Sequence, residues 1–228
     1  MRVQDSYSEF PVRAVIVMGV SGCGKSTIGR HLAHLLGDAP FIDADTLHSA
    51  ENIRLMESGQ PLSDSNRWPW LKRVREEIER ASSKLLEGHD SSLRGARRII
   101  GSSPLFSSSS WLGGRGERLY VVCACSALKR SYREFLSRGD PENAKADRLT
   151  HDTVFAFVDV TKAELERRLR LRKGHFFDGR LLDSQLETLD PPDVTREAAV
   201  VVYGEGSEEQ VAADAYRQVC NYVTKNSL

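Results

Sequence analysis

Gly19-Val20-Ser21-Gly22-Cys23-Gly24-Lys25-Ser26 sets two glycines, a lysine and a serine at the offsets G-x-x-x-x-G-K-[ST]. That spacing suits the gripping of a polyphosphate. Glycines let the backbone curl until several amide N–H groups point inward. A helix starting at Lys25 adds the positive end of its dipole. Lys25 is placed to reach the β- and γ-phosphates, and the Ser26 hydroxyl to ligate Mg2+. Cys23 fills a variable position, and its side chain is given no role. A glycine turn that merely starts a helix is the bland alternative, and it does not require Lys-Ser at this offset. The loop by itself leaves motors, switches and small-molecule kinases open.

A second candidate group is Asp43-Ala44-Asp45-Thr46-Leu47-His48. Of two carboxylates at i and i+2 off a strand end, one can hold Mg2+ through water. The other can accept or orient a hydroxyl proton. An N-cap aspartate with an exposed neighbour gives the same pattern, so the residues alone leave both readings open.

The elements that must position these groups follow from periodicity. Residues 13–18 are an apolar, β-branched run, which predicts a buried parallel strand. Residues 25–36 carry Ile28, Leu32, Leu35 and Leu36 at helical spacing before Gly37. A short strand at 41–42 and a helix at 48–58 come next. The amphipathic pattern Leu71, Val74, Ile78, Leu85, Leu86 predicts a helix over 70–86. Residues 88–118 turn to Ser, Gly and Arg and predict a surface insertion, largely disordered or loosely packed. Strands at 119–124, 153–160 and 198–203 then alternate with helices at 129–137, 162–172, 181–189 and 208–223. Alternation of this kind implies a parallel sheet with helices on both faces.

Bulk properties exclude little but point one way. The 228 residues balance 32 basic against 32 acidic side chains, so nothing global favours nucleic acid or an anionic membrane. No apolar run approaches the roughly 20 residues that span a bilayer. Cys23, Cys123, Cys125 and Cys220 fit neither a zinc site nor a disulfide framework, so reduced thiols and a cytoplasmic location are expected.

Three more segments narrow the reading. One is Asn52-Ile53, Met56 and Gly59-Gln60-Pro61-Leu62, running into Asn66-Arg67-Trp68-Pro69-Trp70-Leu71. Another is Cys125-Ser126-Ala127-Leu128-Lys129-Arg130-Ser131-Tyr132-Arg133. The last is Arg172-Lys173-Gly174-His175-Phe176-Phe177 with Leu181-Leu182-Asp183-Ser184-Gln185. Together with the loop and D-x-D-x-L-H, they make the chain resemble the short, phosphate-loop type of gluconokinase. That family is related in fold to shikimate and nucleoside monophosphate kinases. The resemblance runs from about residue 15 to the C-terminus, insertion excepted. Asn66 stands where the family usually has an acid, Leu55 where a lysine is common, and Glu134 where an aspartate is usual.

The resemblance implies a three-layer P-loop NTPase fold with a mobile lid over about 172–186, in a single kinase domain spanning 1–228. It implies transfer of the γ-phosphoryl group of ATP to D-gluconate with Mg2+ as cofactor, and often a homodimer. ATP contacts would run along Gly19 to Thr27, with Arg168 and Arg172 from the base of the lid. The acceptor region would be about 42–72. A sugar-acid carboxylate calls for cations, for which Arg67, Lys129 and Arg133 are the candidates. Lys129 and Arg133 share a helix face at i and i+4. Solvent exposure or pairing with Glu134 is the bland alternative for that pair. His48 and His175 would meet substrate hydroxyls. Asp45, with Lys25 and Arg172, would be catalytic, and Asp43, with Ser26, would support the metal; the roles of Asp43 and Asp45 are interchangeable at this point. A kinase for another sugar acid, and a nucleotide-dependent switch without catalysis, are the competing readings.

Overall fold

β1 (Val12–Met18) is buried along its whole length. A strand with no polar face must lie centrally, with cover on both sides. In this computed structural model, which describes residues 12–99, 118–139, 151–171 and 179–226 and only the backbone of 90–99, it does so. β3 (Leu119–Ala124) pairs with β1 on one edge and β4 (His151–Asp159) on the other. β2 (Phe41–Asp43) adds beyond β3, and β5 (Ala199–Tyr203) beyond β4. The order β2-β3-β1-β4-β5 is parallel throughout.

Alternate residues of β1 feed two cores. Ala14, Ile16 and Met18 pack with Trp70, Leu71, Val74 and Ile78 of α3 (Asp64–Ile99) and with Tyr132 and Leu136 of α4 (Arg130–Arg138). Val15 and Val17 face the other way. They meet Ile28 and Leu32 of α1 (Lys25–Leu35), Leu165 of α5 (Lys162–Leu171), Leu182 of α6 (Gly179–Thr188) and Val211 of α7 (Glu208–Lys225). Each fully buried side chain of this size contributes about 1.5–3 kcal/mol. This is the three-layer α/β arrangement that the alternation of elements implies.

The pairing register fixes the site. Val17 lies level with Ala124 and Ala156, and Asp43 lies level with Ala124. The carboxyl ends of the central strands therefore finish together, where open α/β sheets bind ligands.

Two elements depart from the periodicity. No helix starts at His48. Asp43 caps a short 3-10 turn at Ala44–Leu47, and the Ser49 hydroxyl then caps α2 (Ala50–Glu57) at the Asn52 amide, 3.1 Å away. His48 is left extended between the two. α3 is longer than expected at both ends. Ser63 and Asn66 cap each other: the Asn66 side chain accepts from Ser63 N at 3.1 Å, and Asn66 N donates to Ser63 Oγ at 3.4 Å. That reciprocal cap starts the helix at Asp64, ahead of Pro69. The helix then runs on through Gly88 to Ile99, so the expected insertion opens as helix rather than loose chain. Residues 100–117 lie outside the described residues. So do residues 172–178, which begin the expected lid. Among the described residues, no helix is long and apolar enough to cross a membrane.

Candidate active site

The phosphate loop links β1 to α1. Gly22 and Gly24 adopt φ of 85° and 99°, conformations that L side chains rarely reach. At Gly22 space is short as well, since a Cβ would lie 2.9 Å from Cγ of Leu169 in α5. Gly19 and Val20 shape the loop from behind. The Gly19 amide donates to the Ser126 carbonyl at 3.3 Å. The Val20 carbonyl accepts from the Cys23 amide at 3.3 Å and from Lys25 Nζ at 3.0 Å. Ser21, Gly22, Cys23, Gly24, Lys25, Ser26 and Thr27 line a cleft of about 780 Å3. Asp45, Glu164 and Arg168 border the same cleft, as do Gly204, Glu205 and Gly206 after β5.

Arg168 spans this cleft's wall. Its guanidinium donates to the Gly204 carbonyl at 2.6 Å, to Glu164 at 2.7 Å and to the Cys23 carbonyl at 3.4 Å. Hydrogen bonds from Arg167 and Arg168 pull the Glu164 carboxyl down to about 2. α5 is thus tied both to the loop and to the turn after β5.

The two aspartates separate in structure where the sequence could not separate them. Asp43 Oδ1 accepts from the Asp45 amide at 3.3 Å, and its Oδ2 lies 3.6 Å from Arg30. Its carboxylate is therefore committed to capping the turn. Asp45 is exposed to the cleft. The Cys125 thiol, just past the end of β3, is buried. Burial pushes it up to about 12, with Lys25 opposing that rise and Asp45 adding to it. Among the described residues, no cluster of His, Cys, Asp or Glu could hold a metal alone. Ser26 and Asp45, which both line the cleft, offer oxygens that suit a hard cation whose remaining ligands are phosphate and water.

A second polar group at this end of the sheet is built from side chains far apart in sequence. His48 stacks on Trp70, with ring centroids 4.4 Å apart and planes 11° from parallel. Trp70 Nε1 donates to the Ala44 carbonyl at 2.7 Å, fixing the ring under the turn that carries Asp45. Asn52 lies 3.3 Å from His48 Nδ1 and donates to the Asn66 carbonyl at 3.1 Å. Burial lowers the His48 pKa, against an opposing pull from Asp45.

Lys129 ends a loop that runs from β3 through Ala127, whose φ is 43°. Lys129 Nζ holds both oxygens of Asp64 at 2.8 Å. The Tyr132 hydroxyl donates to the same carboxylate. Arg67 lies 3.8 Å from Asp64 and 3.5 Å from the Tyr132 oxygen. The hydrogen bond from Lys129 holds the Asp64 carboxyl below its ordinary range, and Asp64 raises Lys129 in return.

Arg133, expected on one helix face with Lys129, does not join this group. Its side chain is 1% exposed and forks onto Glu197, 11% exposed, with Nε at 2.7 Å and Nη2 at 2.9 Å. Its third nitrogen donates to the carbonyls of Ala127, Leu128 and Asp190. With all three guanidinium nitrogens engaged, Arg133 is a strut behind the loop. Helical spacing does put it one turn from Lys129, but α4 begins only after Lys129, which turns the two side chains apart. Glu134 pairs with Arg130 instead, at 2.9 Å. Arg172 and His175 lie outside the described residues.

Some polar groups at the site carry no signal in periodicity. Asp64, Tyr132 and Asn52 fall inside the motif segments, which was their only mark. Asp64 supplies the acid near Arg67 that Asn66 does not.

Loop, sheet order and cleft together define a phosphate-loop nucleotide-binding fold. The model of the shikimate kinase family matches residues 21–65. A probable gluconokinase of Xenopus tropicalis is 38% identical over 202 residues, covering 82% of this chain and 88% of that protein. A gluconokinase of Gluconobacter oxydans is 34% identical, covering 90% of each. Among solved structures, a gluconokinase from Sinorhizobium meliloti 1021 superposes with a TM-score of 0.66 at 32% identity, covering 95% of each chain. The chain belongs to the gluconokinase family.

Proposed function

We propose that the protein transfers the γ-phosphoryl group of ATP to D-gluconate, giving 6-phospho-D-gluconate and ADP. The observation that carries this reading is the juxtaposition at the sheet's carboxyl edge. A phosphate-gripping loop and the exposed Asp45 border one cleft, and a cationic group stands beyond the same strand ends. The family relationship supplies the acceptor.

Lys25 leaves the Val20 carbonyl to meet the β- and γ-phosphates. Loop amides and the dipole of α1 share the remaining charge. Asp45 accepts or orients the proton of the attacking hydroxyl. Asp43, capping the turn, sets where Asp45 points. Mg2+ would be held by Ser26 and, through water, by Asp43 or Asp45, and supplies neutralisation of the developing charge. Lys129 and Arg67 receive the sugar-acid carboxylate, with Asp64 balancing them until it arrives. Neutral His48, held by Asn52 against Trp70, is a hydrogen-bond partner for a hydroxyl. Arg168 steadies the loop from the nucleotide side. The free thiols fit a cytoplasmic enzyme. A homodimer is implied by family resemblance, and the sedimentation coefficient of the purified chain tests it.

The test of the reaction is ADP release from Mg-ATP with a panel of sugar acids, shikimate and nucleoside monophosphates. Gluconate is expected to stimulate turnover above all others. Stimulation by another acid alone, or by none, overturns the assignment.

A further inference from the structure

Gln185 is left over when the groups above have been given their roles, yet it makes two hydrogen bonds to the phosphate loop. Its Oε1 accepts from the Ser21 amide at 2.7 Å, across 164 residues of chain. Its Nε2 donates to the Ser21 hydroxyl at 3.0 Å. Both ends of the carboxamide are used on one loop residue, so its orientation is fixed. A carboxylate would lose the donor and place a charge beside the triphosphate.

The helix that carries Gln185 is itself anchored on two sides. Leu182 is buried in the core under α1, and Asp183 bridges to Lys162 of α5 at 2.6 Å. Just past its end, the Asp190 amide donates to the Leu128 carbonyl at 2.9 Å, one residue before Lys129. The Asp190 carbonyl accepts from Arg133 at 2.8 Å. α6 therefore touches the phosphate loop through Gln185, and the residues just after it reach the loop before Lys129 through Asp190. α5 presses on the next two loop residues, with Leu169 at Gly22 and Arg168 at the Cys23 carbonyl. Three consecutive loop residues are held by side chains from these two helices.

We propose that Gln185 is a positioning residue of the phosphate loop. From α6 it sets the Ser21 backbone, and with it the geometry of the loop. The proposal rests on the kinase reading of the cleft but not on the identity of the acceptor. A net hydrogen bond of ordinary strength, made twice, gives an expected loss of about tenfold on removal, within a factor of several.

The experiment compares wild type with Gln185→Ala, Gln185→Glu and Ser21→Ala in the full chain. Calorimetry gives the Kd for Mg-ADP, and steady-state assays give kcat and the acceptor KM. Gln185→Ala is expected to raise the ADP Kd and lower kcat, together by about tenfold. The acceptor KM should stay near wild type, and the melting temperature should fall by no more than a few degrees. Gln185→Glu should be worse than Gln185→Ala. Combining Gln185→Ala with Ser21→Ala should cost less than the sum of the two, since they share a bond. An unchanged ADP Kd and kcat, or a loss explained by unfolding, overturns the proposal. If wild type phosphorylates no sugar acid, the gluconokinase reading fails by itself, and the ADP measurements still decide the role of Gln185.

Discussion

Around the phosphate loop, the polar groups that matter are largely backbone amides and carbonyls between Gly19 and Ser26, in one unbroken stretch of chain. In the group proposed to receive the acceptor they are side chains: His48, Asn52, Asp64, Arg67, Lys129 and Tyr132, drawn from α2, α3 and α4 and the connections before them. A backbone site needs only the right spacing to exist. A side-chain site needs each residue to be turned the right way by its neighbours, and one position can turn inward instead. Arg133 shows this. Four residues from Lys129, it leaves the acceptor group altogether and pairs with Glu197.

The largest effect that would break or sharpen this contrast is therefore on stability. Arg133→Ala leaves the largely buried Glu197 carboxylate with the Asp193 amide but without its salt bridge, and removing one partner of such a pair costs about 3–5 kcal/mol. The urea midpoint should fall accordingly, and Arg133→Ala with Glu197→Ala should be less harmful than the sum. A normal midpoint with a raised acceptor KM would return Arg133 to the substrate. Lys25→Ala makes the opposite split. It removes a cation that acts on the developing charge, so kcat/KM should fall by roughly 10²–10³ while the fold persists. Wild-type-like turnover in that variant would remove the loop from the mechanism.

Lys129→Ala sits between these cases. Its pair with Asp64 is half exposed, so the stability effect should be within about 1 kcal/mol. Loss of a charged hydrogen bond to the acceptor carboxylate should raise the gluconate KM by roughly tenfold or more and leave the ATP KM alone. Equal changes in both constants would show that Lys129 acts on the transferred phosphate instead.

The same contrast explains what the sequence disclosed. The loop, the buried run of β1 and the alternation of strands and helices were legible because each is a local pattern with a fixed period. The start of α3 was not, because Ser63 and Asn66 cap each other by a contact that hydrophobic periodicity does not record. Nor were the different surroundings of Asp43 and Asp45. They depend on a two-residue turn geometry and on Arg30 reaching over from α1. Gln185 was visible only as part of a motif, since its partner lies at the other end of the chain.

The smallest effect concerns His48 and tests whether the acceptor side is as enclosed as its packing implies. Burial against Trp70 moves the His48 pKa below its ordinary value of 6.5, with Arg73 and Arg67 adding to the fall and Asp45 opposing it. The unfolded chain therefore takes up this proton first as the solution is acidified. Between the unfolded and the lower folded pKa the unfolded state binds more protons, so stability drops as pH decreases. The contribution is present in full above about pH 6.5 and is lost as pH falls from there through the folded value. Urea unfolding of wild type and His48→Asn, compared at pH 7.5 and 5.5, should show wild type losing slightly more stability. Parallel changes in the two proteins, or a wild type that gains on acidification, would mean that His48 titrates freely in water and that the stack on Trp70 does not shield it.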